Sequence, residues 1–330
     1  MKGAMKRTLR PKAKQLLRAP KVAVCIPCLN EEGTVAEVVR GFQKNLPQAE
    51  IYVFDNASTD QTATVAKKAD AIVVPSPVRG KGHVVRDIFQ KMEADWIIMV
   101  DGDATYDPAA APRLLQAAVR GEIDMLVGKR CTPAEEASRA YRPMHQLGNR
   151  MVCGLIRSAF RVPLEDVFSG YRVFSRTFAK TIPLHSGGFE VETELTLQAI
   201  SKNFRVLEME TRYQARPSGS FSKLNTYRDG LLVLSSFLAI CRFYRPMLFF
   251  GTCGLLLGGL SLFAGAAPIL DYIHYRWVYR VPLAILATGL AILSCLSFLI
   301  GLILETQLKY HNELFGMLRK QWADRTGSPK

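Results

Sequence analysis

The sequence predicts an α/β protein whose mostly parallel sheet carries helices on both faces, followed by two helices long enough to cross a membrane. Apolar strand-like runs alternate with helical patterns between residues 22 and 130, and polar residues follow each run. Such alternation is typical of consecutive βαβ units. Residues 246–270 and 281–304 carry no charge. With 330 residues, the chain is long enough for one large domain and these additional elements.

Each predicted strand is a short run of apolar or β-branched residues, and each predicted helix has apolar residues at three- and four-residue spacing. The predicted strands are 22–27, 51–54, 71–74, 96–100 and 124–127, and the helices between and after them are 34–44, 62–68, 82–92 and 108–120. Sheets of this kind bind ligands at the carboxyl ends of their strands. We therefore expect the polar residues that follow the strands to form one site.

Two carboxylates, Asp101 and Asp103, follow the fourth predicted strand at i, i+2 spacing. Mg²⁺ and Mn²⁺ take one or two such hard oxygen ligands and fill their other positions with water and phosphate oxygens. The pair therefore predicts a divalent metal beside a nucleoside diphosphate. An Asp pair after a strand is also common as a turn or a helix cap, so the spacing alone leaves both interpretations open.

The run Arg79-Gly80-Lys81-Gly82 precedes the third predicted helix. It lacks the spacing and the Ser/Thr of a P-loop, and no G-x-G-x-x-G follows the first strand, so a dinucleotide-binding fold is disfavoured. The run can still form a tight turn at the start of a helix, with Lys81 beside a phosphate or a carbonyl. A basic surface turn is the alternative interpretation.

The two uncharged stretches each exceed the roughly 20 residues that cross a bilayer. Their connector, 271–280, contains three tyrosines and a tryptophan, which are typical of the membrane–water interface. Basic residues flank the two stretches more than they populate the connector, which predicts that both termini lie in the cytoplasm with the bulk of the chain. We expect a multi-pass protein of the plasma (inner) membrane. Burial of both stretches in a soluble core is the alternative.

The other boundaries follow from charge and periodicity. Residues 1–21 hold eight of the Lys and Arg residues and no acid, within a net charge of +14, and are expected to form a flexible arm that is either solvated or attracted to anionic lipids. The predicted divisions are the arm 1–21, the α/β domain 22–225 with an amphipathic helix at 147–160, an interfacial helix at 226–245, the hairpin 246–304 and a cytoplasmic tail 305–330. For 147–160, a helix packed on a soluble core fits equally well.

Four motifs in this order resemble glycosyltransferase family 2. Residues 26–32 (Ile-Pro-Cys-Leu-Asn-Glu-Glu) are similar to the opening motif of that family, and 55–60 are similar to its Asp-Asp-Gly-Ser-Thr-Asp, with Asn56 and Ala57 as departures. The run at 79–82 and the Asp-x-Asp follow. The resemblance implies a GT-A fold, a nucleotide-sugar donor, and Mg²⁺ or Mn²⁺. It places Pro27, Asn30, Glu32, Asp55, Lys81 and Asp101 at the nucleotide sugar, and Asp101 and Asp103 at the metal.

Later motifs are similar to those of polyprenyl-phosphate sugar synthases. Residues 166–172 resemble their Asp-x-x-Ser-Gly-[Phe/Tyr] block, and 188–195, 216–224 and the hairpin resemble the bacterial branch. The resemblance implies transfer of a hexose, from a UDP-sugar in preference to GDP-mannose, to a polyprenyl phosphate such as undecaprenyl phosphate in cell-envelope synthesis. It also implies a homo-oligomer, a tetramer.

Several residues are predicted to act on the acceptor phosphate. That phosphate is largely ionised at neutral pH, so it needs less help from a base than a sugar hydroxyl does. Asp166 is the first choice for a catalytic base or an acceptor-orienting group, and Glu192 the second; a structural role is the alternative for both.

Because arginine binds phosphate bidentately, Arg130, Arg150 and Arg172 are expected at the acceptor, with a surface ion pair as the alternative for each. The loop that contains Gly219, Ser222 and Lys223 is expected to close over the donor diphosphate, or to be a plain linker.

Three other functions predict sequence features that differ from those of this chain. A processive polysaccharide synthase carries Gln-x-x-Arg-Trp, which this chain lacks; Arg276-Trp277 in the connector has no such Gln. A catalytically silent nucleotide-binding membrane anchor predicts a broken Asp-x-Asp, and here the pair is intact. A nucleic-acid partner predicts base-stacking aromatic residues among the arginines, whereas the aromatic residues cluster at the membrane positions.

Overall fold

The computed structural model describes residues 20–132, 162–188, 190–214 and 241–326, together with 153–154, 156–157, 160 and 238. Seven strands and eight α-helices are assigned within these residues. The strands are β1 Val22–Cys28, β2 Glu50–Asp55, β3 Ile72–Pro75, β4 Trp96–Met99, β5 Met125–Cys131, β6 Arg172–Ser175 and β7 Val206–Arg212. The helices are α1 Val35–Asn45, α2 Thr62–Lys68, α3 Lys81–Lys91, α4 Ala111–Arg120, α5 Arg176–Thr181, α6 Val191–Ser201, α7 Pro246–Tyr275 and α8 Val281–Thr326, and a 3₁₀ turn, Pro108–Ala110, precedes α4.

The strands form one sheet in the order β3-β2-β1-β4-β6-β5-β7. All neighbouring pairs are parallel except those of β6, which is antiparallel to both β4 and β5. The predicted mostly parallel sheet is therefore confirmed, and each of the five predicted strands is present. The sequence prediction missed β6 and β7.

Apolar packing covers both faces of the sheet, as the alternation of side chains along a strand requires. Val24 and Ile26 of β1 belong to the cluster beneath α1 and α4. Cys25, between them, belongs to the cluster on the opposite face beneath α3, α5 and α6. In that second cluster, Phe89 contacts Phe174 edge-on, with ring centroids 5.1 Å apart. These two cores fix the strand ends that carry the polar residues.

Helices α7 and α8 pack against each other as an antiparallel hairpin, and both are long and apolar enough to cross a membrane. Small residues bring their backbones together: a Cβ at Gly254 would lie 2.8 Å from the ring of Phe298, and the Ser294 hydroxyl donates to the Gly254 carbonyl at 2.7 Å. Large apolar side chains remain outside, with Phe263 84% exposed. Small residues at the contact and apolar residues on the exterior are typical of helices that pack in lipid.

Most of the predicted tail, 305–330, is helical, because α8 continues without a break from Val281 to Thr326. No proline interrupts the segment, and its end packs on the α/β domain. Arg319 lies 4.6 Å from the ring centroid of Phe204, Phe315 contacts the same ring at 6.0 Å, and Lys202 lies over Phe315 at 5.1 Å. The hairpin and the α/β domain are therefore joined by a continuous helix. The predicted arm, except residues 20–21, and most of the predicted helices at 147–160 and 226–245 lie outside the described residues.

Candidate active site

The chemically reactive side chains collect at one edge of the sheet, where the parallel strands end. Asp55 is the last residue of β2, Asp101 follows β4 by two residues, and Arg130 is near the end of β5. Cys28 of β1 is in register with Asp55 of β2, which brings the loop at Asn30 to the same edge. The predicted convergence of these loops is thus present in the fold.

A lysine and two carboxylates form the centre of this edge. The Nζ of Lys81 lies 2.5 Å from Oδ1 of Asp101 and 2.5 Å from Oε1 of Glu192. The three side chains are 11%, 28% and 5% exposed. Burial alone would lower the pKa of Lys81, but the negative charges of Asp101 and Glu192 outweigh it and raise that pKa above its usual value. Lys81 is therefore held as a cation between the two acids.

Two glycines allow Glu192 to reach Lys81 from a distant part of the chain. Gly80 has a φ of +125°, and a Cβ there would lie 2.1 Å from the carbonyl oxygen of Gly187. A Cβ at Gly82 would lie 2.0 Å from the carbonyl oxygen of Ser186, and the Gly82 N–H donates to Gly187 O at 3.2 Å. The loop before α6 therefore packs directly on the start of α3, which explains the Gly-Lys-Gly spacing.

Contacts with Cys28, Thr34 and Thr105 hold the Asp-x-Asp loop in place. Gly102 sits where a Cβ would be 2.5 Å from the Sγ of Cys28, and its carbonyl accepts a 2.7 Å hydrogen bond from the Thr34 hydroxyl. Asp103 is buried and accepts hydrogen bonds from the hydroxyl and the N–H of Thr105 at 2.6 and 3.2 Å. The loop is thus held before any ligand binds.

The Ser-Gly pair at 169–170 brings the chain before β6 against Asp101. The Ser169 hydroxyl donates to Gly128 O at 2.6 Å, and the Gly170 N–H donates to the hydroxyl of Tyr106 at 2.8 Å. A Cβ at Gly170 would lie 2.3 Å from Oδ2 of Asp101. Only glycine leaves room for the Asp101 carboxylate here, which explains why the motif has a glycine at position 170.

Arg130 and Asp166 form a bidentate pair. Nε and Nη2 of Arg130 donate to the two oxygens of Asp166, both at 2.7 Å, and the Arg130 backbone N–H donates to Oδ2 at 3.0 Å. The guanidinium carbon lies 5.5 Å from the ring centroid of Tyr213. Burial alone would lower the pKa of Arg130, but the hydrogen bonds to Asp166 outweigh burial and hold that pKa above its usual value. Asp166 therefore holds a permanently charged arginine at this edge.

The residues predicted to contact the nucleotide link two loops to each other. Oδ1 of Asn30 accepts from the N–H of Thr59 at 2.8 Å, and Oε2 of Glu32 accepts from the N–H of Gln61 at 2.8 Å. Asp55 accepts a longer bond of 3.4 Å from Ser58 N. Pro27 lies at the end of β1, in register with Phe54. Their contact with a base or ribose stays a prediction.

Asn56, a departure from the family motif, organises the basic loop. Its Nδ2 donates to Ser76 O at 3.0 Å and to Val78 O at 2.7 Å, and its Oδ1 accepts from Gly80 N at 2.8 Å. An aspartate has no N–H to give to those carbonyls. The departure itself was therefore the signal for this role.

Comparisons with known proteins agree with this arrangement. The profile of glycosyl transferase family 2 matches residues 23–182. Glycosyltransferase AglJ of Haloferax volcanii is 31% identical over 285 residues, which are 84% of this chain and 89% of that protein. This chain belongs to glycosyl transferase family 2. It is a glycosyltransferase, as the sequence predicted.

Two further similarities bear on the fold and on the finer assignment. Polyprenol monophosphomannose synthase of Mycolicibacterium smegmatis is 26% identical over 230 residues, 64% of this chain and 82% of that protein. The crystal structure of glucosyl-3-phosphoglycerate synthase from Mycobacterium tuberculosis in complex with Mn²⁺, UDP and phosphoglyceric acid superposes with a TM-score of 0.55 at 20% identity, covering 67% of this chain and 78% of that one. The predicted GT-A fold class is confirmed.

The predicted metal site passes a test of chemical fit. Asp101 and Asp103 offer the oxygen ligands that Mg²⁺ and Mn²⁺ prefer. Glu192 contacts Lys81, which in turn contacts Asp101. Oε2 of Glu192 is buried and has no hydrogen-bond partner within the described residues. No group of three His, Cys, Asp or Glu side chains converges anywhere in the described part of the chain. A divalent ion held by these two aspartates would take its remaining ligands from water and phosphate oxygens.

The structure corrects one predicted phosphate contact. Arg172 is fully buried, and its guanidinium donates to Ser169 O at 2.9 Å, to Val167 O at 2.7 Å and to the Thr196 hydroxyl at 3.0 Å. Burial lowers its pKa. Because its donors are used inside the protein, Arg172 braces the Ser-Gly segment instead of meeting an acceptor. Arg150, Gly219, Ser222 and Lys223 lie outside the described residues.

Proposed function

We propose that this glycosyltransferase moves a hexose from a UDP-sugar to a polyprenyl phosphate at the cytoplasmic face of a membrane, with inversion at the anomeric carbon. The observation that carries the proposal is the placement of the Lys81–Asp101–Glu192 cluster and the Arg130–Asp166 pair on one sheet edge, in a chain whose α7 and α8 are long and apolar enough to cross a bilayer.

The relatives support both substrates. A polyprenol monophosphomannose synthase is among them, which favours a lipid phosphate as the acceptor and keeps GDP-mannose as the second candidate donor. The solved structure with Mn²⁺ and UDP has the same fold and favours UDP with a divalent metal. When bound at Asp101 and Asp103, Mg²⁺ or Mn²⁺ would neutralise charge that develops on the departing diphosphate.

In the proposed reaction, an oxygen of the acceptor phosphate attacks the anomeric carbon. The bond between that carbon and the donor's diphosphate oxygen breaks, and the electron pair leaves with the nucleoside diphosphate. Lys81 supplies a fixed positive charge next to Asp101, which suits an accumulating negative charge on the leaving group. Glu192 keeps Lys81 in place from the opposite side.

Arg130 is the acceptor-phosphate residue that the geometry favours. Asp166 engages Nε and Nη2, so the guanidinium plane is fixed, and the Tyr213 ring limits its motion on one face. We assign Asp166 to orienting this arginine, since both of its oxygens already accept hydrogen bonds from Arg130. The acceptor is largely ionised near neutral pH, so the reaction does not require a strong base.

The test is transfer by the full-length protein in detergent, with undecaprenyl phosphate and radiolabelled UDP-hexoses or GDP-mannose, with and without EDTA. We expect labelled lipid with one UDP-hexose, loss of transfer on chelation, and restoration by Mn²⁺ or Mg²⁺. Labelling with GDP-mannose alone would replace the donor assignment. Transfer that persists in EDTA would refute the metal site.

A matched pair of variants locates the reaction. Asp103→Asn is expected to abolish transfer while the protein stays folded. Asp70→Asn, at a turn remote from the sheet edge, is expected to leave transfer unchanged. Absence of labelled lipid with every donor would favour the silent membrane anchor instead.

A further inference from the structure

A cavity of about 560 Å³ lies between the α/β domain and the segment of α8 that continues beyond residue 304. Ser201 at the end of α6 and Val206 at the start of β7 line its domain side. Tyr244 and Arg245, immediately before α7, line a second side, and Lys309 of α8 lines a third. The volume lies within the usual range for sites that hold small molecules.

This cavity is separate from the candidate active site. Helix α6 carries Glu192 in its first turn and Ser201 at its last residue, and nine residues of helix span about 14 Å. Strand β7 runs parallel to β5, so Val206 lies beside Met125 at the amino end of β5, whereas Arg130 lies near the opposite end. The cavity therefore occupies the edge of the sheet opposite to the reactive side chains.

The charged groups in the lining favour an anion. Arg245 and Lys309 are positive and Glu305 is the one acid among the lining residues, which leaves a net charge of about +1. Nε of Arg245 is buried and has no hydrogen-bond partner within the described part of the chain. The guanidinium carbon lies 4.9 Å from the ring centroid of Phe160, which fixes its plane. Because Arg245 as a whole is only partly buried, the other nitrogens of its guanidinium are the groups that can donate to a phosphate oxygen in the cavity.

The position along the helices identifies the source of that phosphate. Arg245 directly precedes Pro246, the first residue of α7, and Glu305 directly follows the uncharged run of α8. The cavity thus lies where the apolar parts of both helices end. If the hairpin spans a bilayer, as the proposed function requires, this level corresponds to the lipid headgroups.

We propose that this cavity binds the phosphate headgroup of a membrane phospholipid, at a site distinct from that of the acceptor. The inference rests on the membrane location contained in the proposed function. Arg245 and Lys309 bind the phosphodiester, and the acyl chains extend along the exposed apolar side of the hairpin. The bound lipid fills the gap between the hairpin and the α/β domain and so stabilises their contact.

The experiment is native mass spectrometry of the delipidated full-length protein in an uncharged detergent, titrated with phosphatidylglycerol. Diacylglycerol, which has the same tails without phosphate, and inorganic phosphate are the comparison ligands. We expect tight binding of phosphatidylglycerol only, weakened about tenfold by Arg245→Gln or Lys309→Gln. Arg242→Gln is the matched control, because Arg242 lies over Phe243 and outside the cavity lining; it should change the affinity less than twofold.

Three results would overturn the proposal. These are equal binding of diacylglycerol, displacement of phosphatidylglycerol by inorganic phosphate at similar concentration, and an equal loss in the Arg242 and Arg245 variants. Lys309 is exposed, so its variant is expected to fold and to provide the test if the Arg245 variant does not. Because the readout is lipid binding, a protein that binds phosphatidylglycerol through these residues and transfers no sugar supports this proposal and refutes only the proposed reaction.

Discussion

Replacement of Lys81 by methionine removes the cation that lies between Asp101 and Glu192. Its Nζ lies 2.5 Å from both Asp101 and Glu192, whose side chains are 28% and 5% exposed. Loss of one partner from a buried ion pair costs about 3–5 kcal/mol, because it leaves an uncompensated charge in the interior. Since Asp101 retains some contact with solvent, we expect about 3 kcal/mol lower free energy of unfolding in Lys81→Met.

The assay is urea unfolding of the full-length protein in detergent, followed by tryptophan fluorescence. Lys91→Met is the control on the same helix: Lys91 pairs with Asp87 at 3.5 Å and is 44% exposed, so its loss should cost less than about 0.5 kcal/mol. Equal destabilisation by both variants, or none by Lys81→Met, would refute the reasoning.

The pH dependence provides a second check on the same variant. The carboxylates raise the pKa of Lys81 in the folded state above its unfolded value of about 10.4. The stabilisation is therefore complete below that unfolded value and is lost only as the pH rises through the higher folded-state pKa. We expect the difference between wild type and Lys81→Met to stay constant from about pH 7 to pH 10. A difference that disappears by pH 9 would contradict the ion-pair assignment.

Three further substitutions test the supports of the site. Gly82→Ala should lower transfer about 100-fold by displacing the loop at Ser186, whereas Gly33→Ala, with open space around it, should match wild type in the same assay. Asn56→Asp should reduce the free energy of unfolding by about 3 kcal/mol, because two carbonyls lose their donor; wild-type urea stability would disprove the bracing role. Arg172→Met should cost about 3 kcal/mol, because two buried carbonyls lose their donor, without raising the KM for the acceptor in the folded protein. The opposite pattern would restore its predicted phosphate contact.

The strands that the sequence predicted are those whose residues are apolar on both faces, because buried parallel strands give continuous apolar runs. Strand β7 alternates apolar and charged residues at the sheet edge, and β6 has only four residues and begins with an arginine. Neither has the continuous apolar run by which the other strands were recognised. The sequence did not predict that α8 continues into the tail, because a polar segment without a stop signal is compatible with either helix or coil until a surface such as Phe204 is available for packing.

For the candidate site, the sequence predicted which residues lie at the strand ends, but not the contacts between residues that are far apart in the sequence. Lys81 and Glu192 meet because Gly80 and Gly82 leave room for the loop that precedes α6. This contact joins segments far apart in the sequence, so sequence spacing could not predict it. Arg172 illustrates the converse error. Arg172 is expected at the acceptor because arginine binds phosphate bidentately, yet buried carbonyls of the protein use its donors.

The uninterrupted course of α8 sets the distance between the apolar hairpin and the α/β domain. Residues 305–326 extend about 33 Å at 1.5 Å per residue, and the contact of Phe315 with Phe204 fixes the domain partway along this length. One residue inserted near position 306 would lift that contact by about 1.5 Å and turn it by about 100° around the helix axis. The length of this helix therefore sets both the distance and the rotation of the sheet relative to the apolar hairpin.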